Sequence, residues 1–301
     1  MARFANSQKQ GAKMAGSIMR ELQGVYIKSV GTVRNYEQAL KNVATAMVNQ
    51  DQHLRDLDHD RAISYLEQRA EEVGQKSLDI ERQAIQSMFR HVTGKLSEGE
   101  TLRVIRSEHE QVLHSRAYTQ EQTHAIADNQ REQNALSTEI AYAAGLRAKE
   151  LITLLPIEER PADIRQNKEP LDEKFMGREG QCYSVIGKGG LIREVMIPDN
   201  LAQRLEERRL DQTIEVIDRN IVYQQHYNIQ AGRNWSQSFS RSSQQVLGWS
   251  NGAHGLRHSY AQERMDELRS QGLTMTREYA LEVVSQELGH FRPDITEIYL
   301  R

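Results

Sequence analysis

Apolar positions recur at helical spacing along most of the chain. Tyr36, Leu40, Val43 and Met47 follow one another at intervals of four, three and four, which lays one apolar stripe along a helix. Ile63, Leu66, Ala70 and Val73 repeat the pattern, and Gly74 ends it. Ser77 is placed to cap a third helix, with Leu78, Ile85, Phe89 and Val92 on its inner face and Gly94 as its stop. Together these predict a small helical domain over roughly residues 20–100. The charged, weakly periodic stretch that follows reads as a connection. Beyond it Thr119 and Gln122 form a capping box, Leu136 and Ile140 mark a helix ending near Gly145, and another helix starts after Arg147 and includes Leu151. The period then changes. Cys182–Ile186 and Leu191–Ile197 are β-prone runs joined by "GKGG", a hairpin with Lys188 at its tip. Helical sequence resumes to the C-terminus, with the Ser/Gln/Asn-rich "NWSQSFSRSSQQ" read as a loop.

The chain has 301 residues, 38% hydrophobic and 27% charged, with only 5 prolines, which suits two compact and mostly helical domains. Cys182 is the single cysteine, so no internal disulfide forms and a reducing cytoplasm is expected. No apolar run suits a secretory signal or a membrane span, so no membrane partner is expected. The net charge of −3 says nothing for nucleic acid. Its distribution says more: residues 1–50 carry Arg3, Lys9, Lys13, Arg20, Lys28, Arg34 and Lys41 against Glu21 and Glu37. Such a segment is either a phosphate-contacting surface or a solvated helix face.

Five short stretches hold the candidate chemistry: "AAGLRAKEL" with Arg147, "IGKGGLIREV" with Lys188, "HGLRHSYA" with His254 and Arg257, "LGH" with His290, and "ITEIYL" with Tyr299. Taken singly, each has an ordinary structural explanation. His254 and His258 are four apart and would share a helix face, as metal ligands do. Gly255, however, stands where a zincin-type motif needs its glutamate, and no nearby Cys or carboxylate completes a set, so no metal site is expected. "GKGG" lacks the first glycine and the Ser/Thr of a P-loop, so no nucleotide cofactor is expected either.

In this order and spacing, the five stretches resemble the tyrosine recombinase (phage integrase) family. The resemblance covers residues 117–301 best. It implies a mainly α protein with a small β-sheet, in which a helical N-terminal core-binding (SAM-like) domain precedes an α+β catalytic domain. The boundaries expected are 1–100 for the core-type DNA-binding domain with its basic N-terminal segment, 101–116 for a linker, and 117–301 for the catalytic domain. The stretches 155–180 and 257–290 are longer than most members carry and read as surface insertions.

The resemblance also implies an activity. A site-specific recombinase or integrase of a mobile genetic element would cut and rejoin DNA through a 3′-phosphotyrosine intermediate. The alternatives are a type IB topoisomerase-like relaxing enzyme and a DNA-binding protein without catalysis. Partners would be double-stranded DNA, gripped by a C-shaped clamp, three further copies in a homo-tetramer on two DNA sites, and an accessory directionality factor. The location would be the cytoplasm, in association with the nucleoid. No separate arm-binding segment is expected at the N-terminus.

Each residue type suits a part of that reaction. Tyr299 supplies the nucleophile. Arg147 and Arg257 present planar, permanently charged forks that match phosphate oxygens, and His290 adds a further donor. Lys188, on a hairpin, suits protonation of the leaving 5′ oxygen. The resemblance assigns His254 to the tyrosine proton, although sequence alone leaves open which histidine acts as base. The final helix should start at Pro293 and be held through Ile295 and Ile298. Being about two turns long and terminal, it is expected to be displaced without DNA, with Tyr299 away from both arginines.

Overall fold

The computed structural model describes residues 2–109, 114–164, 169–218, 221–270, 275–290 and 292–301. The chain divides into two compact units, residues 1–112 and 113–301.

The first unit is built from α1 (Ala2–Leu22), α2 (Val30–Asn49), α3 (His59–Ala70) and α4 (Gln75–Met88). Leu40, Val43 and Met47 of α2, Ile63 and Leu66 of α3, and Leu78 and Ile85 of α4 all enter one core, as their spacing predicts. The unit begins earlier than residue 20, because α1 contributes Ala15, Ile18, Met19 and Leu22 to that core. Gly11 lets α1 approach α2 closely: a Cβ there would lie 2.6 Å from Thr45 Oγ1 and 2.9 Å from Thr45 N. Ser77 does not cap α4. Gly74 occupies the cap, and Ser77 sits in the first turn with its N–H donating to the Gly74 carbonyl. After Met88 the chain widens into a π-turn, Phe89–Thr93, which left-handed Gly94 closes as expected. Buried Glu81 ties three helices together by accepting from Asn42, Tyr65 and Arg69.

The segment expected as a linker is not free along its length. Leu102 is buried in the first core, and the amides of Ser107 and Glu108 are bound to Gln75 and Ala70 of the first unit. Residues 110–113 lie outside the described residues.

The second unit runs α5 (Gln120–Asp128), α6 (Glu132–Ala143), β1 (Leu155–Pro156), β2 (Gln181–Ile186), β3 (Ile192–Ile197), α7 (Asp199–Glu206), β4 (Arg209–Asp218), β5 (Ile221–Tyr227), α8 (Gly232–Leu247), α9 (Gly255–Ser270), α10 (Arg277–Glu287) and α11 (Pro293–Glu297). The capping box at Thr119 and Gln122 forms, each side chain bonding the other's backbone N–H. β1, β2 and β3 make an antiparallel sheet in that order, with Cys182 opposite Met196 and Ser184 opposite Glu194. Tyr183, Val185, Val195 and Ile197 join the core with Leu136, Ile140 and Trp235.

Several expectations fail here for identifiable reasons. The helix expected after Arg147 is only a buried 3-10 turn, Glu150–Thr153. The polar stretch 234–245 is not a loop: it lies within α8, because Trp235 and Phe239, four apart, are enough to seat that helix on the core. Trp249 beyond it is partly exposed and stacks on Tyr118, with centroids 5.2 Å apart. Helix resumes after β3 with α7 but is then interrupted. β4 and β5 form a two-stranded ribbon that leaves Ile214, Ile217, Ile221 and Val222 exposed, Ile217 by 70%. The 155–180 stretch is not purely a surface insertion, since Phe175 is buried and its N–H donates to Glu287 Oε1 at 2.9 Å. Residues 165–168 of that stretch, and 271–274 of the other long stretch, lie outside the described residues.

Candidate active site

The site forms where the end of α6, the start of α9 and the end of α10 converge. Gly145 follows α6 in a left-handed conformation, and a Cβ there would press to 2.8 Å on the Tyr260 ring. Its carbonyl accepts from Arg257 Nη1, and the next residue but one is Arg147. Gly255 opens α9 against the chain at 116–118: any Cβ would overlap the Arg116 carbonyl and the Tyr118 ring. That close approach explains a glycine after His254 without reference to a metal. Among the described residues, no group of three or more His, Cys, Asp or Glu side chains is arranged to hold a metal ion.

Arg257 is completely buried. It donates to the carbonyls of Gly145 and Leu288, and its Nη2 lies 3.2 Å from His290 Nε2. Burial, followed by the nearby Arg147 charge, pulls its pKa down to about 9. Arg147 reaches the same His290 nitrogen from the other side at 3.1 Å, and its own Nη1 donates to Glu150 Oε1 at 2.7 Å. A guanidinium can only donate, so His290 Nε2 must accept. Burial and the two arginines lower the His290 pKa to about 3, which keeps the ring neutral.

Tyr299 joins this cluster. Its hydroxyl is 3.2 Å from His254 Nε2. Its ring lies 4.6 Å from the His258 ring, 5.1 Å from that of His290 and 5.7 Å from the Arg257 guanidinium carbon. The His254 pKa falls to about 4, through burial first and Arg257 second, and the His258 pKa also falls to about 4, through burial first. The expected displacement of Tyr299 is therefore wrong for this structure: the residue is only 8% exposed. α11 does start at Pro293, but Ile298 points to solvent. The segment is held instead by buried Thr296, by the tyrosine ring, by an Arg277–Glu297 ion pair at 2.7 Å, and by Gln262, which donates to the Tyr299 carbonyl.

Five of the six residues singled out thus come together: Arg147, His254, Arg257, His290 and Tyr299. Lys188 stands in an exposed turn, Lys188–Gly190, at the tip of the β2–β3 hairpin. The loop end of the hairpin is held near the cluster at the residue before Lys188, because Lys149 Nζ donates to the Gly187 carbonyl at 3.1 Å and a Cβ on Gly187 would lie 3.6 Å from Glu150 Oε1.

Two organising residues escaped the sequence reading. Glu150 is wholly buried beside Arg147, Arg193 and, at 3.8 Å, Arg257. Although burial opposes ionisation, those three cations hold its carboxyl well below the ordinary range. Arg193 bonds Glu150 at 2.8 Å and the Glu287 carbonyl at 2.6 Å. The signal for it was present, since Arg193 shares the inward alternation of β3 with Val195 and Ile197. Three guanidinium groups face one carboxylate, so the pocket carries an excess of positive charge suited to an anion.

No family model matches the chain, and no curated protein matches it in sequence. Solved structures do match. XerH site-specific recombinase bound to difH substrate aligns over 99% of this chain and 93% of its own, with a TM-score of 0.56 and 14% identity. A lambda integrase tetramer bound to a Holliday junction aligns over 96% of this chain and 76% of its own, at 0.60 and 16%. The Tn1549 transposon integrase with transposon right end DNA aligns over 97% and 95%, at 0.56 and 12%. The chain has the two-domain tyrosine-recombinase fold. In this fold the second unit carries the cluster around Tyr299. Among the described residues no helix is long and apolar enough to cross a membrane.

Proposed function

We propose that the chain is a site-specific DNA recombinase or integrase that cuts and rejoins DNA through a 3′-phosphotyrosine intermediate. The observation that carries this reading is the placement of the Tyr299 hydroxyl 3.2 Å from His254 Nε2, over a clamp of Arg147, Arg257 and His290.

In the reaction proposed, Tyr299 Oη attacks phosphorus. Neutral His254 accepts the phenolic proton: hydrogen-bond reach qualifies it, and burial keeps its ring unprotonated and free to accept. The new bond joins Tyr299 Oη to the 3′ phosphate, and the bond to the 5′ oxygen breaks. Lys188 delivers a proton to that leaving oxygen as the hairpin folds toward the DNA. Arg147 and Arg257 exchange their bonds to His290 for bonds to the nonbridging oxygens, stabilising the charge that gathers there. His258 packs beside the tyrosine and orients it. The phosphotyrosine ester conserves the bond energy, so a 5′ hydroxyl can reverse the step without a nucleotide.

The first unit supplies a surface suited to the duplex. Tyr26 stacks on His91 with centroids 4.0 Å apart, beside Lys28 and Arg90, around a cleft of about 350 Å³. With the other basic residues of the N-terminal segment, this favours phosphate contact and salt-sensitive binding. Four copies on two sites would be the active assembly. A mobile element as the carrier of the gene, an accessory directionality factor and association with the nucleoid complete the proposal.

The test sequences the DNA flanking the gene, takes short inverted repeats found there as the candidate site, and uses duplexes carrying them, nicked to trap the intermediate, in buffer with EDTA. A protein–DNA complex that survives denaturant, followed by exchange between two labelled duplexes, is the expected result. Relaxation of supercoiled plasmid without exchange would transfer the reading to a topoisomerase, and binding without covalent complex would remove catalysis.

A further inference from the structure

Thr296 is completely buried, on α11, three residues before Tyr299. Its Oγ1 lies 3.0 Å from His290 Nδ1. The other nitrogen of that ring faces Arg147 Nη2 at 3.1 Å and Arg257 Nη2 at 3.2 Å. Both arginines can only donate, so Nε2 holds a lone pair, and a neutral ring must then carry its proton on Nδ1. The Thr296 hydroxyl is the acceptor for that proton.

We infer that Thr296 is a positioning residue: its hydroxyl sets the tautomer of His290 and so couples the seating of the Tyr299 helix to the state of the arginine clamp. This rests on the catalytic reading given above. The chemistry of a hydroxyl is what makes the coupling work, because it both accepts and donates. With the clamp empty, it accepts from Nδ1–H while Nε2 takes the two arginine bonds. With a phosphate in the clamp, the arginines turn to the phosphate oxygens and Nε2 is left facing an acceptor. The hydroxyl then rotates and donates to Nδ1, and the ring carries its proton on Nε2 and donates to phosphate. The proton count of the ring is unchanged: solvent water takes the proton from Nδ1 and returns one to Nε2 while the clamp changes partners. An aliphatic side chain supports neither arrangement, and a serine supports both.

The geometry also adds a hydrogen-bonded tie between two parts that otherwise meet only through the packing of the Tyr299 ring on His290 and Arg257. A phosphate that enters the clamp changes which partner His290 needs, and that partner is on the segment carrying the nucleophile. Two other holds on that segment, the Arg277–Glu297 pair and the Gln262 contact, do not touch the clamp.

The test compares Thr296→Val, which keeps the shape and loses the hydroxyl, with Thr296→Ser, which keeps the hydroxyl. Nitrogen-15 spectra of histidine-labelled protein, with His290 assigned by its loss in His290→Gln, read the tautomer directly. In the wild type His290 should show a protonated Nδ1 that shifts to a protonated Nε2 on adding duplex with the flanking repeats. Thr296→Val should lose the discrete Nδ1–H signature and form the covalent complex at least tenfold more slowly in single turnover, with DNA affinity within twofold. Thr296→Ser should recover both. An unchanged tautomer and cleavage within twofold in Thr296→Val would overturn the inference. So would loss of cleavage in Thr296→Ser together with a native spectrum. If the wild type forms no covalent complex at all, the catalytic reading fails, and the spectra of the unliganded variants still decide whether Thr296 sets the tautomer.

Discussion

The arginine clamp and the Lys188 hairpin belong to one candidate site but are built in opposite ways. Arg257 has no exposed surface and is fixed by two carbonyls, and its neighbour Glu150 is equally buried. Lys188 stands in solvent at the end of two strands, one residue beyond the Gly187 carbonyl that Lys149 holds. In the proposed reaction the clamp is largely in place before a phosphate arrives and trades only its bonds to His290, because reorienting charged groups during the reaction costs free energy. A general acid needs reach instead, since its target is the leaving oxygen and not the resting phosphate. The difference teaches that buried and exposed parts of a site answer to different tests.

The largest effect should come from the residue lying over the clamp. Tyr299→Phe should abolish the covalent complex and leave DNA affinity unchanged; a denaturant-stable complex from the variant would displace Tyr299 as nucleophile. Next comes the exposed side. Lys188→Ala should cut with a rate reduced roughly 10²–10⁴-fold on ordinary DNA. It should recover on DNA whose 5′ bridging oxygen is sulfur, because a thiolate leaves without a proton, and its melting temperature should not move. Equal impairment on both substrates would take the acid role from the hairpin.

The buried side should respond in two currents at once. Arg257→Lys should slow cleavage by roughly a hundredfold or more, and it should also lower the melting temperature, since an ammonium cannot span the Gly145 and Leu288 carbonyls together. Arg147 lies nearer the surface, so Arg147→Lys should slow cleavage with a much smaller change in melting. Equal thermal loss in both variants would erase the distinction between the two arginines.

The smallest effect is in pH. His254 and His258 have pKa values near 4 and His290 near 3, below the 6.5 of an unfolded histidine. Between those limits the unfolded chain holds more protons, so stability rises with pH from about 4 to about 6.5 and this contribution levels off above. Melting curves across that range should be less steep for His258→Gln than for the wild type. Identical slopes would mean that His258 is not buried in its neutral form.

What could be read from the sequence follows a physical division. Leu40, Val43 and Met47 were legible because a helix repeats its inner face, and Tyr299, His254 and Arg257 because their spacing matches a known order. Ser77 misled because a glycine one turn earlier takes the cap at no steric cost. α8 was hidden because its outward face is serine and glutamine, and two aromatics suffice to hold it. The β4–β5 ribbon was missed because its apolar residues face solvent and break the inward–outward alternation. Thr296 and Glu150 carry no pattern of their own. Their importance comes from what the fold sets beside them.

The protein's 2 tryptophans have a consequence of another kind. Trp235 is fully buried in the second unit, and Trp249 lies stacked on Tyr118 of that same unit. Intrinsic tryptophan emission therefore reports on the second unit alone. A denaturation curve followed by fluorescence is blind to the loss of α1 to α4, whereas far-ultraviolet circular dichroism weighs every helix. If the two units melt separately, the two optical signals will part, and the gap between them will trace the unfolding of the unit that carries no tryptophan.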